Sequence, residues 1–190
     1  MPHVACSITH VPLLLVLVGV PGSGKSTFVQ ELLTHPSTGE WSRISQDALG
    51  TRKRCVRATQ DALLEGRHVI IDRCNFDREQ RAHWLRLHPP QGTRVAVFLD
   101  VPASVAYDRV LARPAHEGGV DALHMTPSKV RGIVRRMSDS LTLPSEDEGF
   151  THVLHCTDGS GDPARGGGGG TFSRAGAVAR VLELAELDSG

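Results

Sequence analysis

The chain has 190 residues, with 21 Lys+Arg exactly balanced by 21 Asp+Glu, a length that predicts one compact domain with a real core and little room for a second catalytic unit. Cys6, Cys55, Cys74 and Cys156 lie far apart, without C-x-x-C or Cys/His zinc spacing, which excludes a disulfide framework or metal finger and makes a reducing, intracellular setting (cytoplasmic or nuclear) the expectation. The longest apolar run, around residues 13–18, is far shorter than the roughly 20 residues a membrane-spanning helix needs, so no membrane partner is expected.

Residues 13–18 form a partly β-branched apolar run that stops at Gly19, the pattern of a central strand covered on both faces in a parallel sheet. A helix is expected over 25–34 and a short strand over 43–45. A second helix is expected over 52–65, where Cys55, Val56, Thr59, Leu63 and Leu64 recur at near-helical spacing before Gly66. Val69, Ile70 and Ile71 make the next buried strand, closed by Asp72; Asp77, with Gln80 three residues on, predicts a capped helix through about residue 87. After Pro89, Pro90 and Gly92 come a strand over 95–100 and a helix over 102–113 that Pro114 stops.

Residues 114–126 contain two glycines and no periodicity, which predicts a mobile lid between two helices. Thr126 then caps a helix with Pro127 in its first turn and an apolar stripe at Val130, Ile133, Val134 and Met137. Residues 151–157 read as a fifth strand. The segment 158–171, with five consecutive glycines, reads as a flexible linker, and 172–190 as a C-terminal helical segment, either packed on the domain formed by 1–157 or standing apart from it. Alternating strands and helices imply an α/β fold of about five parallel strands flanked by helices, with its site at the carboxyl ends of the strands. Gly19, Asp47, Asp72 and Asp100 all fall at that edge.

Gly19-Val20-Pro21-Gly22-Ser23-Gly24-Lys25-Ser26-Thr27 is a complete G-x-x-x-x-G-K-[ST] between a buried strand and a helix, the P-loop of a nucleotide-binding fold. Its glycines let main-chain N–H groups converge on phosphate oxygens at a helix N-terminus. Gly22, Ser23, Gly24, Lys25, Ser26 and Thr27 are the expected ATP contacts. Lys25 bridges the β- and γ-phosphates and Ser26 ligates Mg²⁺. Phosphoryl transfer to an alcohol needs a carboxylate to take the hydroxyl proton, and Asp47 is the candidate, with a helix cap as the plain alternative. Asp72 ends an apolar strand in the Walker-B manner, a second candidate for Mg²⁺ or for the acceptor. Arg109 and Arg113, four apart on one helix face and just before the lid, are candidates to close on the ATP phosphates. Trp84 and Phe76 are expected in the core, with stacking on a base as the alternative, and the histidines show no metal-ligand pattern.

Charge is unevenly spread. Residues 43–94 hold 11 Lys/Arg against 6 Asp/Glu, residues 109–136 hold 6 against 2, and the chain after Met137 holds 3 against 9. The basic set Arg43, Arg52, Lys53, Arg54, Arg57, Arg73 and Arg78 suits a polyanionic acceptor.

The succession GVPGSGKSTF, SQDALGTRKRC, VIIDRCNFDREQR, FLDVP and R-x-x-x-R before a lid resembles the kinase domain of the polynucleotide kinase family, nearest to the stand-alone or fused modules of fungi and plants. The resemblance covers about residues 13–157. It implies a catalytic set of Lys25, Asp47 (general base) and Arg113, with Arg54 engaging the acceptor end and Asp72 and Asn75 lining its channel. The implied reaction moves the γ-phosphate of ATP to the 5′-OH of DNA or RNA, largely independent of base sequence. Ser45-Gln46-Asp47 stands where animal members carry Asn-Arg-Asp. A kinase for a small metabolite or nucleotide, and a nucleotide-binding module without turnover, remain the alternatives.

Overall fold

The computed structural model describes residues 11–36, 39–113, 125–157 and 171–188. Six strands among these form one all-parallel sheet: β1 (Leu14–Val18), β2 (Trp41–Ser45), β3 (His68–Asp72), β4 (Arg94–Asp100), β5 (His152–Thr157) and β6 (Thr171–Phe172), in the spatial order β2-β3-β1-β4-β5-β6. Seven α-helices connect or flank them: α1 (Lys25–Thr34), α2 (Gln46–Leu49), α3 (Arg52–Leu64), α4 (Arg78–Leu85), α5 (Ala103–Leu111), α6 (Pro127–Asp139) and α7 (Arg174–Asp188). This is the α/β P-loop fold expected from the sequence.

Strand alternation sorts the core into two layers. Leu13, Leu15 and Leu17 face the side where α1 contributes Phe28, Val29 and Leu32 and α7 contributes Val178, Val181 and Leu182. Leu14, Val16 and Val18 face the other side, with Cys55 and Ala62 of α3 and Trp84 and Leu85 of α4. Helices on both faces explain why β1 is apolar at every position. A smaller cluster, Val20 with Ala106, Val110, Val130 and Val134, seats α5 and α6 beneath the loop that follows β1.

Several boundaries move. The strand expected over 43–45 starts at Trp41, because Trp41 stacks on His68 at the sheet edge, ring centroids 4.8 Å apart. The one-turn helix α2 was not expected; it ends where Gly50, at φ 78°, turns its N–H to the Gln46 carbonyl. A sixth strand, only two residues long, forms at Thr171–Phe172 inside what reads as linker and helix start. It shows no periodicity, and only its pairing with His155 and Cys156 defines it. Trp84 is core as expected, whereas Phe76 is only half-buried. The lid, expected over 114–126, falls outside the described residues for 114–124, as does the Gly-rich stretch 158–170.

Asn75 holds the carboxyl ends of β1 and β3 together. It is fully buried at φ 43°, a left-handed conformation that Asn tolerates better than most residues. Its Nδ2 donates to the Leu17 carbonyl (2.8 Å), and its Oδ1 accepts from Trp84 Nε1 (2.9 Å). The adjacent Cys74 carbonyl accepts from Gly19 N–H at 3.0 Å. Arg81, also fully buried, donates to the Asn75 carbonyl (3.1 Å) and grips Glu148 through Nε and Nη2 at 2.7 and 2.6 Å. Asn75→Ala leaves a buried indole N–H and a buried carbonyl without partners. The expected cost is about 3 kcal/mol, seen as a fall of roughly 6–12 °C in the thermal midpoint for a chain of this size; an unchanged midpoint would show that these bonds do not hold the two strand ends.

Candidate active site

The loop from Gly19 to Gly24 links β1 to α1, and its tightness is visible at one glycine. Gly22 lies at φ 87°, where a Cβ would stand 2.2 Å from the Ala106 carbonyl oxygen, so a side chain at 22 requires the loop to lift off α5. Lys25, first residue of α1, folds back across the loop and donates to the carbonyls of Gly19 (3.0 Å) and Val20 (2.9 Å). Ser26 and Thr27 are exposed at the helix start, and Ser23 is buried beneath it.

A pocket of about 300 Å³ opens at this edge of the sheet. Its lining includes Pro21, Gly22, Gly24, Lys25 and Ser26 of the loop and helix start, together with Gln46, Asp47, Arg52, Arg73, Phe76 and Arg113. Asp47 therefore shares one pocket with Lys25. It gets there on α2, in the first turn of that helix, where Ser45 and not Asp47 holds the cap position and no side-chain cap bond is formed.

Asp72 lines the pocket at the end of β3, but Arg43 claims one of its oxygens: Nε and Nη2 of Arg43 both reach Oδ2, at 2.9 and 2.7 Å. Oδ1 is left for another partner. Ser26 and this oxygen are hard donors suited to Mg²⁺, and no group of three or more His, Cys, Asp or Glu side chains that could cage a metal occurs among the described residues. That donor set matches a metal that keeps water and phosphate oxygens as most of its ligands.

Two residues assigned through the family resemblance are not among those that line the pocket. The Asn75 side chain is buried, with both ends engaged as described above. Arg54 points off the exposed face of α3 and is absent from the pocket wall, because Thr51 starts that helix and helical spacing turns residue 52, not 54, toward the site. Of the basic set, Arg43, Arg52 and Arg73 reach the pocket, while Arg78 pairs with Asp147 at 2.6 Å and Arg57 lies 3.8 Å from Asp61. Asp100 sits at the same sheet edge but is buried against His155 at 3.1 Å, away from the pocket wall. Cys74, Gln80 and Met137 also line the pocket; none of them is among the expected site residues.

The cations of the pocket are poorly matched. Burial, followed by repulsion from Arg52, lowers the pKa of Arg73, whose guanidinium lies 5.6 Å from the Trp84 ring centre. Burial, followed by repulsion from Arg109, likewise lowers that of Arg113. Neither Arg73 nor Arg113 forms a carboxylate ion pair among the described residues. Half-buried guanidiniums that line one pocket without a carboxylate partner among the described residues gain from an anion bound there.

Known proteins bear on this site. The chain is 38% identical over 149 residues to an Arabidopsis thaliana protein named transcription factor bHLH140, a match that covers 76% of this chain and 16% of that protein. It is 28% identical over 144 residues to the bifunctional polynucleotide phosphatase/kinase of Schizosaccharomyces pombe, covering 74% of this chain and 32% of the relative. The chain thus spans a third or less of the length of these relatives. Among solved structures, a fungal RNA kinase superposes with a TM-score of 0.57 at 18% identity, covering 76% of this chain and 74% of that one, a likeness that speaks for the fold. A family model described as an AAA domain matches residues 14–61 and 50–131, more than half of the chain, and with a P-loop kinase fold around its phosphate cradle this chain belongs to that AAA-domain family.

Proposed function

We propose that the chain is an ATP-dependent phosphotransferase that moves the γ-phosphate to the 5′-hydroxyl end of DNA or RNA. One observation carries the reading: a carboxylate, Asp47, and an unpaired half-buried cation, Arg73, line the same pocket as Lys25 and Ser26 of the P-loop. A carboxylate facing the cradle suits transfer to an alcohol, and a cation beside it suits an alcohol that carries phosphates of its own. The polynucleotide phosphatase/kinase relative supports the same acceptor.

In this mechanism Lys25 exchanges the Gly19 and Val20 carbonyls for oxygens of the β- and γ-phosphates, joined by main-chain N–H groups of residues 22–27. Ser26 and Asp72 are the residues that would hold Mg²⁺, which when bound would supply neutralisation of the charge that gathers on those phosphates. Asp47 orients the acceptor hydroxyl and takes its proton as the new O–P bond forms and the bond to the departing ADP breaks. Arg52 and Arg73 hold the backbone phosphate that follows the terminal nucleoside, which gives affinity without reading bases. Arg113, with Arg109 behind it, adds positive charge as the transfer proceeds.

The acceptor is tested by offering labelled ATP and Mg²⁺ with 5′-OH oligonucleotides beside nucleosides and sugar alcohols. Label on the oligonucleotides is expected. Label on the small alcohols alone would assign a metabolite kinase, and label on none a binding module. Asp47→Asn is expected to retain ATP binding while transfer falls by about a hundredfold or more, within the usual range for loss of a general base; near-normal turnover would remove Asp47 from that role. Arg113→Ala is expected to slow transfer at saturating ATP by roughly an order of magnitude or more, and unchanged single-turnover rates would show that this arginine does not act on the transferring group.

A further inference from the structure

Arg174, the first residue of α7, brings a cation to the phosphate cradle from a part of the chain that the mechanism above does not use. Its backbone is fixed by the pairing of β6 with β5 and by burial of Ala177, Val178 and Val181 one and two turns further on. Its Nη1 lies 3.9 Å from the position a Cβ would take on Gly24, the residue that caps α1 and precedes Lys25; among the described residues, the chain neighbours of Gly24 aside, no other atom comes within 4 Å of that point. Its Nε donates to Glu31 Oε1 at 2.8 Å. Residues 24, 27 and 31 share one face of α1 by helical spacing, and a glutamate on a helix leans toward the N-terminus. The guanidinium therefore runs along the stripe that contains Thr27, with Nε anchored to Glu31 and its far end beside the first turn.

That placement concentrates like charge. Lys25 and the positive end of α1 already occupy this corner, and Glu31 lies two turns away on the other end of the guanidinium. Nη1 and Nη2 have no hydrogen-bond partner among the described residues. Arg174 is also absent from the wall of the pocket that holds Asp47, so it flanks the cradle outside the acceptor site. With Lys25 and Ser26 committed to the β- and γ-phosphates, the remaining charged group of a nucleoside triphosphate is its α-phosphate.

We propose that Arg174 is a nucleotide-positioning residue, in which Glu31 fixes Nε and the Nη1/Nη2 end takes the α-phosphate of the donor. The inference rests on the P-loop's role as the donor site and not on the identity of the acceptor.

The test is binding of ADP and of pyrophosphate to the full chain by calorimetry, beside ATP kinetics and thermal midpoints. For Arg174→Ala the expected result is a rise of about tenfold in ADP Kd and in ATP KM, with pyrophosphate affinity and kcat within about twofold of the parent. Glu31→Gln is expected to show a smaller rise in the same two constants, since it frees the arginine without removing it. Thermal midpoints without ligand should barely move, because both side chains of this pair are 39% exposed and such pairs contribute little. Should Arg174→Ala not fold, Arg174→Lys carries the test: it keeps the charge but loses the Nε anchor, and ADP is expected to weaken about threefold with pyrophosphate unaffected. Unchanged ADP affinity with lower midpoints in both variants would make the pair a strut between α1 and α7, and equal weakening of ADP and pyrophosphate would mean general damage to the cradle; either overturns the proposal. ADP binding needs no acceptor, so an error in the polynucleotide reading leaves this measurement intact.

Discussion

The site depends on one buried junction at the carboxyl edge of the sheet, where Asn75 bonds the Leu17 carbonyl and the Trp84 indole while the neighbouring Cys74 carbonyl takes the Gly19 N–H. β1 delivers the phosphate cradle and β3 delivers Asp72 and Arg73. Unless the exits of these strands stay in register, the P-loop and the residues that follow β3 have no fixed separation across the pocket. A left-handed residue there is costly for most side chains. Arg81 and Glu148 secure it from outside, a fully buried ion pair whose geometry is good because the Asn75 and Thr142 carbonyls accept the remaining guanidinium N–H groups. Breaking such a pair from one side is far more destabilising than its net contribution suggests.

Above this junction the chain leaves positive charge unsatisfied. Lys25 rests on two carbonyls, and Arg73 and Arg113 are each desolvated with another arginine nearby. A chain of net neutral composition thus holds a locally cationic pocket, and the acidic excess that balances it, 9 Asp/Glu against 3 Lys/Arg, lies after residue 137. Some of them act structurally: Glu146–Glu148 forms a 3₁₀ turn whose carboxylates engage Arg78 and Arg81. At the pocket Arg43 is paired with Asp72, while Arg73 and Arg113 form no carboxylate ion pair among the described residues, an arrangement that favours an anionic ligand.

Much of this was legible in the residues. The P-loop, the strand before it and the helix after it follow from an unbroken apolar run, five residues of turn chemistry and a G-K-S-T start, and the Asp47 position at a strand-to-helix junction was readable from the same edge rule. What the chain did not reveal is tertiary. Asn75 sits in a motif whose polar residues look alike as candidates for the channel, and only burial separates the one that holds strands together from the one that faces substrate. Arg52 and Arg54 lie two apart in a basic run, and the start of α3 at Thr51 decides which of them turns inward. β6 has no periodicity to read, so the arrival of Arg174 beside Gly24 could not be foreseen from spacing.

The account stands on donor and acceptor meeting in a single pocket. Its most direct measurement is a crystal structure of the Asp47→Asn variant with a non-hydrolysable ATP analogue, Mg²⁺ and a short 5′-OH oligonucleotide. The account predicts the terminal 5′-oxygen within hydrogen-bond distance of residue 47, in line with the γ-phosphate, and the first backbone phosphate on Arg73. An oligonucleotide bound on any other face, with this pocket holding only the nucleotide, would contradict it.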